Sequence, residues 1–271
     1  MIKRIWAAMI AALLPAVTAV GLAWAAAPDT DPLPSYVTSI SAQLDPRVAQ
    51  TLARLDGTGR QLLALRSYLR SSSHLAERWS WTQEQIEAFA GSPEQRDLQQ
   101  EIDRIRTAFA AANPGFELYV NSQVRSLDVQ IEHWNSNESV KAAADEILAA
   151  ARALIATPGF PADRPEQARE ALEAFLSGHR PVPTPTIAAP GLSLHGQMRA
   201  IDFQVHQGGR VVAGPSTSSI ATDWATGWAA KLDAAVREAS NRFVGPQASP
   251  PAPWHYNYLP EGRAPVTSPD H

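Results

Sequence analysis

The chain has 271 residues, with 23 basic and 27 acidic residues, a net charge of −4 with histidine neutral, and no cysteine. That length allows one domain of ordinary size plus an extension, with a real buried core. The acidic balance disfavours a nucleic-acid partner, whose phosphates need a basic surface, and the lack of cysteine excludes a thiol nucleophile and a sulfur-liganded zinc, so any metal must sit on histidine and carboxylate.

Residues 1–27 have a basic head (Lys3, Arg4), an apolar run and a small-residue ending near Ala25 to Ala27, which is the build of a secretory signal. A retained anchor is the competing reading, because the apolar run approaches the roughly 20 residues that span a bilayer. Pro15, Gly21 and the alanine-rich end favour removal, with no stable membrane insertion afterwards and a periplasmic or otherwise exported location. Removal leaves 21 basic against 27 acidic residues, a net −6. Residues 28–36 (PDTDPLPSY) are proline-rich and polar, and are expected to be a tether.

Residues 37–114 are expected to form a helical extension. Apolar residues recur at helical spacing through Val48, Leu52, Leu55, Leu62, Leu65 and Leu69, with Asp56-Gly57-Thr58-Gly59 as a break between two helices. Thr82 with Gln85 predicts a capping box, and Ser92-Pro93 opens a helix through Leu98, Ile102, Ile105 and Phe109. The extension serves either as a helical hairpin packed on the main domain or as a docking surface for an envelope protein partner.

A second domain is expected over 115–260. FELYVNS (116–122) alternates as a strand, a helix follows Arg125, and further helices are expected at 139–156 and 165–176. A proline-rich loop leads to a hairpin of Ala200 to His206 and Arg210 to Ala213. A long helix over 223–242 and a final strand over 254–258 complete an α+β class, with a small antiparallel sheet flanked by helices. Residues 261–271 read as a disordered tail.

Two separated stretches carry the chemistry, LSLHGQMRAIDF (192–203) and APWHYNYLP (252–260). His195 is followed seven residues later by Asp202, which alternates with Ile201 and Phe203 in a strand, so its carboxylate is either exposed or aimed into a polar site. Buried and unpaired it would be costly, and a cation would relieve that cost. Taken alone, His255 reads as a core histidine satisfied by the backbone. Together the three side chains make a zinc site with one position open, the catalytic rather than the structural pattern.

The spacing of Ser193, His195, Ala200 and Asp202, the Trp254-His255 pair, and Ser122, Arg125, Ser126 and Gln130 in VNSQVRSLDVQ resemble the signature pieces of the VanY and VanX type D-alanyl-D-alanine carboxypeptidases. The three pieces occur in the family's order and span about residues 116–260. The resemblance implies a Hedgehog/DD-peptidase fold, zinc held by His195, Asp202 and His255, and peptidoglycan stem peptides as ligands. It also implies that Arg125 binds or polarises the peptide, with Ser122, Gln130, Ser193 and Trp254 around the substrate. An arginine suits that task because its planar fork pairs with carboxylate or carbonyl oxygens; an ion pair at a helix start is its competing role.

Three positions depart from the family pattern. Gln123 and Met198 stand where glycines are usual, which is tolerable if the backbone needs no positive φ there. Ala252 stands three residues before His255, where the family carries the glutamate that serves as general base, and losing such a group typically costs about 10²- to 10⁴-fold in rate. Glu261, Asp223, Asp128 and Glu132 are the carboxylates that could substitute, though none has the required spacing. Two readings follow: a zinc peptidase with impaired hydrolysis, or an inactive relative that keeps the zinc pocket for peptidoglycan binding or as a scaffold.

Overall fold

Side-chain caps and prolines decide where the first helices begin. The computed structural model describes residues 31–262; the expected signal and residues 263–271 of the expected tail lie outside them. Helix α1 (Leu33–Ser41) starts with proline in its first turn, α2 (Pro46–Leu52) is capped by Asp45, which accepts from Arg47 N, and α3 spans Gly57–Ser71. The stretch expected to be a tether is therefore helical from Leu33, because Leu33, Val37 and Ile40 fall on one face and are fully buried. A short turn, α4 (Leu75–Arg78), precedes α5 (Gln83–Phe89), where Thr82 and Gln85 form the expected capping box. Ser92 caps α6 (Pro93–Ala112).

The sheet is small, open and antiparallel. Strand β1 (Glu117–Val120) is followed by α7 (Leu127–Ser136), α8 (Glu138–Ile155) and α9 (Pro165–Gly178), and then by the hairpin β2 (Ala200–Gln207) and β3 (Arg210–Ala213). Beyond α10 (Ser219–Thr222), the long helix expected over 223–242 is interrupted. Gly227 adopts φ +106°, so α11 runs only over Trp228–Ala239, and the chain then forms β4 (Phe243–Val244) and β5 (His255–Tyr258). The strand order is β1-β2-β5-β4, with β3 also paired to β2. Asp202 lies opposite His255, and Ala200 opposite Asn257, two rungs apart on the β2 and β5 ladder and so on the same face.

Two apolar clusters share the described residues, and they do not divide the chain where the sequence suggests. In the first, α1, α2 and α3 pack with α7, α8 and α9, so the N-terminal helices embrace helices of the expected second domain. Leu62, Leu63, Leu65 and Tyr68 of α3 are all fully buried, each contributing roughly 1.5–3 kcal/mol by burial. In the second, α6 and α11 cover one face of the sheet, with Phe109, Phe203, Trp224, Phe243 and Tyr256 among its members. The boundary at 114–115 thus falls inside the second cluster, because α6 packs on the sheet and α11 rather than on α3. Glu101 of α6, buried against this layer, is compensated by Arg104, Arg242 and the Ser240 hydroxyl, which donates at 2.6 Å.

Candidate metal centre

Strand alternation brings the candidate ligands together. Asp202, on the sheet face opposite Ile201 and Phe203, projects beside its cross-strand partner His255, whose Nδ1 lies 3.0 Å from Asp202 Oδ1. His195 comes from a 3-10 turn (Leu194–Gln197) just before β2; its Nε2 is 3.2 Å from His255 Nδ1 and 3.3 Å from Asp202 Oδ2. Ligands at about 2.0–2.1 Å from a tetrahedral zinc are separated from one another by roughly 3.3–3.4 Å, so these spacings fit a shared cation. The three side chains form a group able to hold a metal ion, and among the described residues no second carboxylate belongs to it.

Electrostatics act on two of the three side chains. Burial pushes His195 down to about 4, against the opposing pull of Asp202 and with the cationic Arg125 assisting, so its imidazole is neutral at physiological pH. Burial pushes Asp202 up, but its contacts with His255 and His195 and the charge of Arg125 outweigh it and hold the carboxylate below its ordinary range. The ring of His255 makes a second contact, from Nε2 to Asn257 Oδ1 at 3.2 Å.

Arg125 also reaches the cluster. It follows the end of β1, donates from Nη2 to Asp202 Oδ2 at 3.3 Å, and its backbone N–H donates to His195 O at 3.2 Å. Gln130 is placed differently from its expected role at the substrate. It is buried on α7, and its amide bonds Ser80 Oγ and Arg125 O, both at 2.8 Å, while its oxygen accepts from Gly191 N at 3.0 Å. It is a bracket that ties the Arg125 loop, the 191–198 loop and the 79–81 segment together. Gly196 allows this close approach, since a Cβ there would meet Ser80 Oγ at 2.1 Å and Gln130 Nε2 at 2.7 Å. Gln197 adds bonds to Glu77 O and Trp79 O at 2.7 and 2.8 Å.

The remaining candidates divide. Ser122 is exposed beyond β1, and Ser193 is half-buried at the start of the 3-10 turn. The Trp254 side chain is buried on the apolar face against Trp224, while its carbonyl accepts from Phe203 N at 3.0 Å, so it supports β2 from beneath rather than facing the ligands. Ala252 is buried in the same apolar cluster, and its carbonyl accepts from His255 N at 3.0 Å. Of the carboxylates considered as substitutes, Asp128 pairs with Arg54 at 2.6 Å, and Glu132 and Glu261 are exposed; neither these nor Asp223 joins the cluster.

Gln123 has no positive φ, whereas Met198 does, at +51°. The left-handed backbone costs about 1–2 kcal/mol at such a residue, and burial of the Met198 side chain offsets it. Sequence reasoning missed Asn257, Ser80 and Gly191 around the centre. The period-2 pattern of β5, which sets Asn257 on the same face as His255, is the signal that could have found the first.

No protein-family model, curated protein or solved structure matches the chain. What the fold and site define is an α+β protein with a three-ligand group able to hold a divalent cation beside an arginine.

Proposed function

We propose that the chain is an exported zinc protein of the VanY and VanX type, with a Hedgehog/DD-peptidase fold, that binds D-alanine-terminated peptidoglycan stem peptides and hydrolyses them poorly or not at all. The observation that carries this reading is the His195, Asp202 and His255 cluster, with Arg125 on Asp202 and, among the described residues, no second carboxylate. Zinc held by these three side chains would supply Lewis acidity toward an amide carbonyl. The guanidinium of Arg125, about one-third exposed, is free to turn its fork toward a peptide carboxylate or carbonyl.

Proton transfer is the weak step. Ala252 carries no group that can accept or return a proton, and Asp202 is engaged by both histidines and Arg125. Absence of a positioned acid/base group lowers the rate by about 10²- to 10⁴-fold. The inactive-relative reading is favoured by the apolar setting of Ala252, since among the described residues no second carboxylate joins the His195, Asp202 and His255 group. On that reading the exposed faces of the 37–114 helices, α5 above all, which buries no residue, serve an envelope partner.

Among the described residues no helix is long and apolar enough to cross a membrane. The test is metal analysis of the purified protein combined with calorimetry and digestion of muropeptides. The expected result is one zinc per chain, lost in His195→Ala, and binding of a D-Ala-D-Ala-terminated peptide, lost in Arg125→Ala, with little or no D-alanine released. Absence of zinc binding overturns the reading; efficient D-alanine release, abolished by His195→Ala, replaces the inactive version with an enzyme.

A further inference from the structure

We propose that Asn257 is the positioning residue that makes His255 hold a divalent cation through Nδ1. The inference rests on the metal reading above and concerns which ring nitrogen is used and what enforces it. A neutral imidazole has one N–H and one lone pair, and only the lone pair can ligate. The nitrogen of His255 that faces the other two ligands is Nδ1, 3.0 Å from Asp202 Oδ1 and 3.2 Å from His195 Nε2. For Nδ1 to be bare, the ring proton must sit on Nε2, where an acceptor has to hold it. Asn257 Oδ1 is that acceptor, at 3.2 Å.

Asn257 is fixed for the task by the sheet. It lies two residues beyond His255 on β5, hence on the same face, and its backbone is paired with Ala200 on one side and Val244 on the other. One rung of the ladder supplies two candidate ligands, Asp202 and His255, and the next rung on the same face supplies Asn257, which orients the His255 ring. The two histidines therefore face the cluster through different nitrogens, Nε2 of His195 and Nδ1 of His255.

Three measurements on the full chain test this. Chelator competition should show zinc affinity reduced about 10- to 100-fold in Asn257→Leu, which offers no acceptor, and retained within about 3-fold in Asn257→Asp, which can only accept. Nitrogen-15 spectra of the zinc-loaded wild type should place the remaining ring proton of His255 on Nε2. A folded Asn257→Leu protein with wild-type affinity overturns the proposal, as does a His255 proton on Nδ1. The spectra decide the matter even if the leucine variant fails to fold. A wild type that binds no zinc overturns both this inference and the metal reading, whereas zinc binding unaffected by Asn257→Leu overturns this inference alone.

Discussion

The two apolar clusters differ in chemistry and in what they do. The helical cluster is built mostly from leucine, isoleucine, valine and alanine, and carries none of the candidate ligands; the sheet cluster is rich in Phe, Trp and Tyr and underlies the strands that hold Asp202 and His255. Flexible aliphatic side chains fill the space between helices, while flat rings packed edge to face, such as Phe203 with Phe243 and Tyr256, give a strand pair a stiff support. The candidate metal centre sits where the Trp79 to Trp81 segment clasps the loop that carries His195. Stability resides in both clusters, but ligand geometry belongs to the sheet and the clasp.

That contrast can be broken most forcefully in the cores. Phe203→Ala is expected to cost about 3–5 kcal/mol and to lower zinc affinity as well, since Phe203 anchors the strand next to Asp202. Leu63→Ala in α3 is expected to cost about 2–5 kcal/mol while leaving the zinc affinity of the folded protein unchanged. Thermal unfolding with and without zinc separates the two; equal effects of both substitutions on zinc affinity would erase the distinction between clusters.

A pair of glycines sharpens it. At Gly59 a Cβ would lie 2.5 Å from Ala144 O, a backbone atom of α8, so Gly59→Ala pushes α3 and α8 apart and is expected to cost about 1–3 kcal/mol with zinc binding intact. Gly196→Ala meets side chains instead, displacing Ser80 and Gln130. It is expected to weaken zinc binding by more than about 10-fold at a smaller loss of stability, as read by chelator competition and melting temperature.

A smaller and pH-dependent effect lies in the helical layer. The hydrogen bond from the Arg47 side chain holds the Asp45 carboxyl down at about 2, against burial and with the Arg47 N–H adding to it. With the folded value below the ordinary one, this stabilisation is complete above about pH 4 and disappears as the pH falls through 2. Asp45→Ala should therefore cost about 1 kcal/mol in denaturant unfolding at pH 7, and the difference from wild type should shrink below pH 4. The least effect is expected from Tyr256→Phe in the sheet layer: the Tyr256 hydroxyl is buried with no hydrogen-bond partner, so its removal should leave stability unchanged or raise it by up to about 1 kcal/mol.

The meeting of His195, Asp202 and His255 was legible in the sequence because strand period fixes which side chains share a face, and Asp202 and His255 need only a shared register to meet. The caps at Thr82 and Ser92 were legible for a similar reason, since their partners lie within one turn. Periodicity cannot say which apolar face meets which, so the pairing of α3 with α8 and of α6 with α11 stayed hidden, and with it the true course of the boundary near residue 114. The tether reading of 28–36 gave way to packing of Leu33. Gln130 was picked out by motif as a substrate residue, yet its three hydrogen bonds are spent on Ser80, Arg125 and Gly191, the first and last of which are distant in sequence.

Those distances bear on how the protein comes to be assembled. Gln130 closes loops of 50 residues to Ser80 and 61 residues to Gly191, and His195 meets His255 across 60. Long closures carry an entropic cost before any contact repays it and slow the search for the native arrangement. Helix pairs and the hairpin can form early, but the geometry that brings His195, Asp202 and His255 together is expected to mature last, so any metal affinity of that group would report that the chain has finished folding.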